Sequence, residues 1–137
     1  MSRNRLDIAY DKLDDKNKEL LLEGTKNFLS FIFWHKGSKD VISSIHYKSI
    51  EFIVLQCVGL KSFEFTKSIT DDYIEKWIKS GVAEKIKLSK SPSDIEIKLT
   101  SEGERLVRDA NSQFLPSLGF FKNFWTHKVE ELTTFWV

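Results

Sequence analysis

The chain reads as a mainly helical α+β protein with one small antiparallel β-ribbon, and three observations carry that reading. Apolar residues recur at helical spacing over 14–36, 44–59, 68–80, 101–114 and 117–137; alternation with a period of two appears on both sides of Pro92; and 137 residues, 41% hydrophobic and 13% aromatic, supply a core for one domain.

Residues 1–13 are polar with scattered apolar positions. A single helix is expected over 14–36, begun by Asp14 or Asp15, with Leu20, Leu21, Leu22, Phe28, Leu29, Ile32 and Phe33 as a wide apolar surface and Gly37-Ser-Lys-Asp40 ending it. Ser43 or Ser44 opens a second helix to about Gly59, whose inward stripe is Ile50, Ile53, Val54, Cys57 and Val58. Gly59 to Lys67 then leaves room for little more than one irregular turn.

A capped helix follows over 68–80. Ser68 or Thr70 suits the N-cap, Asp71 and Asp72 sit where the helix dipole favours negative charge, and Ile69, Tyr73, Ile74, Trp77 and Ile78 fall on one face. Gly81 provides the left-handed residue that ends many helices. In the ribbon, Ile86 and Leu88 alternate with Lys85, Lys87 and Ser89, Ile95, Ile97 and Leu99 alternate with Glu96 and Lys98, and Lys90-Ser-Pro-Ser-Asp94 is the turn between them. Ser101 with Glu104 reads as a capping box for the next helix, which runs to about Phe114. After Pro116-Ser-Leu-Gly119, a C-terminal amphipathic helix carries Phe121, Phe124 or Trp125, Val129, Leu132, and Phe135 or Trp136 on one side. Three covers suit that side: the helix at 14–36, a second copy of the chain, or a membrane surface. The first two are favoured, because Glu130 and Glu131 balance Lys122 and Lys128, whereas surface-binding helices are usually rich in Lys and Arg.

The stretch 68–109 resembles the wing region of MarR-type winged helix-turn-helix proteins, and winged-helix regulators more broadly. The residues that carry the resemblance are Ser80-Gly81-Val82, where a recognition helix ends in glycine and an aliphatic residue, and Leu99-Thr100-Ser101-Glu102-Gly103, where the second wing strand enters a helix, with Leu106 and Val107 continuing inward. The resemblance implies a winged-helix core over 44–110, with the 44–59 helix as its first, plus additional N- and C-terminal amphipathic helices in one domain. It also implies a DNA-binding, transcriptional-regulator-like homodimer. In that reading Lys67, Thr70, Lys76 and Lys79 face the duplex, Tyr73 does so only if it is not core, and Lys87, Lys90, Ser91 and Lys98 reach phosphates. Phe121, Phe124, Trp125, Leu132, Phe135 and Trp136 form the dimer or partner interface. The alternative is a winged-helix scaffold that serves as a protein-interaction or oligomerisation module without DNA binding.

Charge favours neither reading outright. The whole chain carries +1, from 21 basic and 20 acidic residues, so attraction to a polyanion has to be local. Three lysines and three acids cancel over Lys67–Lys79, and the span Glu84–Lys98 holds four lysines against three acids. Cys57 is the only cysteine, which rules out an intramolecular disulfide and reads as a packed thiol. His35, His46 and His127 lack the close spacing of metal ligands, the serines at 89, 91 and 93 read as a solvated turn, and adjacent acids such as Asp14-Asp15 and Asp71-Asp72 point to different sides of a helix. No enzyme, cofactor or metal is expected. Apolar runs fall short of the ~20 residues a spanning helix needs, and Met-Ser-Arg-Asn-Arg lacks the apolar run of a signal peptide, so a cytoplasmic protein is expected.

Overall fold

The spacing of apolar residues sets the element order. The computed structural model describes residues 14–22, 24–58, 63–113, 117 and 119–124. Along them lie α1 (Asp15–Leu21), α2 (Thr25–Ile32), β1 (Trp34–His35), β2 (Asp40–Val41), β3 (Ser44–His46), α3 (Tyr47–Val58), α4 (Phe63–Lys79), β4 (Ala83–Lys87), β5 (Ile95–Leu99) and α5 (Ser101–Gln113). Residues 119–124 are helical as well. The α+β class therefore holds. Strands β1 and β2 form a hairpin, and β5 lies between β3 and β4 in an antiparallel three-stranded sheet.

Four expectations about element boundaries and caps need correction. The span 14–36 is two helices and a strand, because Gly24, the weakest helix former short of proline, separates α1 from α2. That glycine is buried: a Cβ there would stand 3.3 Å from the Phe124 ring. The Thr25 hydroxyl donates back to the Leu22 carbonyl. Beyond α2 the chain turns through Lys39, which holds a left-handed φ of 52°, so that Trp34 pairs with Val41. Secondly, Ser44–His46 is extended: Ile45 pairs with Ile97, and the ladder offered by β5 outweighs the capping potential of the serines.

Thirdly, α4 begins at Phe63 and not near Ser68. Thr70 is consequently interior, and its hydroxyl donates to the Thr66 carbonyl one turn back, 2.6 Å away. The helix preceding α4 is α3, of 12 residues. Lastly, the cap of α5 is Thr100 in place of Ser101: its Oγ1 accepts from the Gly103 N–H at 3.2 Å and donates to the Gly81 carbonyl at 2.6 Å.

The junction of α4, β4 and α5 is set by two glycines. Gly81 has φ +75°, its N–H donates to the Ile78 carbonyl, and the Val82 N–H donates to the Trp77 carbonyl; these are the two bonds of a Schellman cap. The Val82 carbonyl then accepts from the Thr100 N–H at 3.0 Å and lies so close to α5 that a Cβ on Gly103 would be 2.0 Å from it. Leu99, Thr100 and Gly103 thus form one physical unit: a buried side chain, a cap and a close backbone approach.

The core is aromatic. Trp77, 1% exposed, lies 6.0 Å from the rings of both Phe28 and Phe33, and its Nε1–H donates to the Thr25 carbonyl at 3.1 Å, tying α4 to α2. Tyr73 packs 5.0 Å from Phe28 and is core, which removes it from any outward face. Phe121 sits 5.1 Å from Phe28 and 5.2 Å from Phe31, fully buried. Expected at a partner interface, Phe121 is an interior residue of its own chain, because α2 offers it an aromatic seat. Phe124 is half-buried against Gly24. Trp125, Leu132, Phe135 and Trp136 lie outside the described residues. Among the described residues no helix is long and apolar enough to cross a membrane.

Candidate interaction surface

The side of α4 turned from the core carries exposed Lys67, Asp71, Glu75 and Lys79, one turn apart. The two central positions are carboxylates, and both are engaged. Asp71 accepts from the Tyr47 hydroxyl at 2.6 Å; burial first, and then this carboxylate, hold the phenol well above its ordinary range. Glu75 pairs with Lys79 at 2.9 Å, and that contact lowers the acid and raises the lysine. Lys76 reaches Glu19 of α1 at 2.9 Å. Of the four residues expected to face a duplex, Thr70 is buried, Lys76 and Lys79 are ion-paired, and Lys67 stands exposed beside Asp71.

The two arms of the ribbon do not share one apolar face. Lys85 pairs with Ile97, Ile86 with Glu96 and Lys87 with Ile95, so the apolar residues of the two arms face opposite sides of the sheet. Ile97 and Leu99 enter the core, while Ile86 and Leu88 are 37% and 49% exposed. The signal was present in the numbering. Residues 86 and 88 are even, 95, 97 and 99 are odd, and the five-residue turn 89–93 places residues of like parity opposite one another.

Lys87, Lys90, Ser91 and Lys98 are all exposed, as expected, but Lys87 and Lys98 point to opposite faces. The turn is closed by the Leu88 N–H donating to the Asp94 carbonyl and the Asp94 N–H to the Ser91 carbonyl. His46 of β3 fastens it. Its Nδ1 accepts from the Lys48 N–H at 3.1 Å, which leaves the neutral ring's proton on Nε2, facing the Asp94 carboxylate at 2.9 Å. Hydrogen bonds from His46 and then Ser89 hold Asp94 below the usual carboxylate range.

Between α4 and the ribbon lies a cleft of about 780 Å³. Ile74, Ile78, Pro92 and Ile95 line it, together with Lys67, Lys79, Lys85, Asp71 and Glu75. The cleft is thus a recess of mixed charge between two elements. Cys57 is elsewhere, buried, its thiol pushed up to about 12 by desolvation. Among the described residues no group of three His, Cys, Asp or Glu side chains is placed to hold a metal ion.

Sequence reasoning did not reach Tyr47, Glu19 or His46 as structural partners of this surface, since each acts across a distance of 24 to 57 residues. No protein-family model, curated protein or solved structure matches the chain.

Proposed function

We propose that the chain is a winged-helix domain that engages protein surfaces and does not read a DNA sequence. The winged-helix part of the reading is supported by the order α2–β3–α3–α4–β4–β5 with β5 between its two partners, and by α5 leaving the sheet through Leu99-Thr100-Ser101-Glu102-Gly103. The observation that carries the functional part is the pair of carboxylates, Asp71 and Glu75, at the centre of the outward side of α4.

A helix lodged in a major groove runs between two rows of phosphates, roughly one negative charge per 1.7 Å of duplex axis. Acids at the middle of that helix oppose the approach, and the flanking cations Lys76 and Lys79 already hold carboxylates. The exposed wing lysines remain as sequence-independent phosphate contacts. They favour the second reading, weak duplex binding led by the wing.

Neutralising the opposing pair tests the proposal. Asp71→Asn with Glu75→Gln keeps both side-chain shapes, and in fluorescence titration against a labelled mixed-sequence duplex the double variant gains affinity over wild type. An unchanged or lower affinity in the variant would show that the carboxylates are not what keeps α4 from DNA.

A further inference from the structure

Among the described residues β4 is an edge strand, exposed from Glu84 to Lys87 and buried at Ala83. The Leu88 N–H and the Val82 carbonyl point to β5, so by the two-residue period of an antiparallel pair 84 and 86 do likewise, and the N–H and C=O groups of Ala83, Lys85 and Lys87 point away from the sheet. No other described strand lies beyond them. The side chains along this edge alternate in kind: Lys85 and Lys87 stand on the face that borders the cleft, Ile86 and Leu88 on the other, all exposed.

Resting on the reading of the domain as a protein-binding module, we propose that β4 accepts an added strand from another polypeptide in which acidic and aliphatic residues alternate. Main-chain bonds to Lys85 and Lys87 would supply the pairing, and the alternation would supply selectivity. Acids of the incoming strand meet Lys85 and Lys87 on one face, with Lys79 nearby in the cleft, while its aliphatic residues cover Ile86 and Leu88 on the other. Two groups oppose the approach. Glu75, already paired with Lys79, lies on the first face, and Glu84 on the second. A second copy of the same strand is a poor occupant: antiparallel registers centred on Lys85, Ile86 or Lys87 each put lysine opposite lysine, and like charges in that position repel.

The test uses the full chain and a synthetic peptide of alternating glutamate and valine, followed by amide NMR, with two control peptides: lysine in place of glutamate, and the same glutamates and valines in two blocks. The expected result is binding of the alternating acidic peptide alone, with slowed amide exchange at the exposed edge positions Lys85 and Lys87. Lys85→Pro removes an outward N–H where an edge strand tolerates proline, and lowers affinity about tenfold, the scale of one lost main-chain bond. Lys85→Glu with Lys87→Glu reverses the preference toward the lysine peptide. Circular dichroism and thermal unfolding confirm that both variants fold. Equal affinity for all three peptides, protection mapped to the outer side of α4, undiminished binding by Lys85→Pro, or edge protection arising from self-association in sedimentation each overturns the strand-addition proposal. None of these outcomes touches the reading of α4, which the duplex titration decides separately.

Discussion

Replacing Gly103 by alanine is a small change with a large expected effect. In an ordinary helix the substitution stabilises by up to about 1 kcal/mol, since glycine is a poor helix former. Here the added Cβ would lie 2.0 Å from the Val82 carbonyl oxygen, 3.0 Å from its carbon and 3.1 Å from Leu99 Cδ2. The nearest obstacle is main chain, and that carbonyl is fixed from both sides, by the Schellman cap at Gly81 and by the Thr100 N–H it accepts. Relief requires α5 to lift from β4. Overpacking of this kind costs about 1–3 kcal/mol and occasionally more. Weakening the Thr100–Val82 bond adds roughly 0.5–1.5 kcal/mol. Against the helix-propensity gain, the net is a loss of about 2 kcal/mol, or a fall in melting temperature on the order of 5–10 °C for a domain of this size. Thermal unfolding by circular dichroism reads the change. Gly119→Ala is the control, because its Cβ would meet nothing nearer than Ser117 Oγ at 3.8 Å. A Gly103→Ala variant as stable as wild type, or more so, refutes the close approach and with it the physical account of the Leu-Thr-x-x-Gly stretch.

Trp77→Ala removes the ring between α2 and α4 and lowers stability by about 3–5 kcal/mol in chemical denaturation; an unchanged midpoint contradicts its place in the core. Cys57, with a thiol raised to about 12 and buried, stays unlabelled by a thiol reagent in native buffer and reacts once the chain is unfolded, and fast native labelling is the contrary result. The Asp94–His46 contact gives a signed pH dependence. Because the folded carboxylate sits below its unfolded value, its contribution is present above the ordinary carboxylate pKa of about 4 and is lost as pH falls through the lower folded value. The stability advantage of wild type over Asp94→Asn therefore shrinks on acidification through that window, while Asp40 and Glu75, common to both chains, cancel; an advantage that grows toward low pH contradicts the contact.

Local chemistry was legible wherever it was strong. The left-handed Gly81, the ribbon around Pro92 and the helix from Ser101 appear where turn and periodicity signals place them. What was not legible is what depends on partners distant in the chain. Ser44–His46 carries helix-cap residues and becomes a strand because β5 lies beside it. Thr70 has the chemistry of a cap and loses that role because α4 starts earlier. Phe121 reads as an interface residue when only its own helix is considered, and becomes core once Phe28 and Phe31 receive it. For the surface, composition gave the neutrality of α4, but only the folded arrangement separates Lys76, bound to Glu19, from exposed Lys67, and sets Asp71 and Glu75 in the middle of the outward side.

That arrangement is tested most directly by the salt dependence of duplex binding. With phosphate contacts limited to the exposed wing lysines Lys85, Lys87, Lys90 and Lys98, the wild-type chain should bind mixed-sequence DNA weakly even at low salt, with log K falling against log salt at a slope no steeper than about −4. Tight binding with a slope of about −6 or beyond requires phosphate contacts that α4 would have to provide, and contradicts a surface closed to DNA by its own carboxylates.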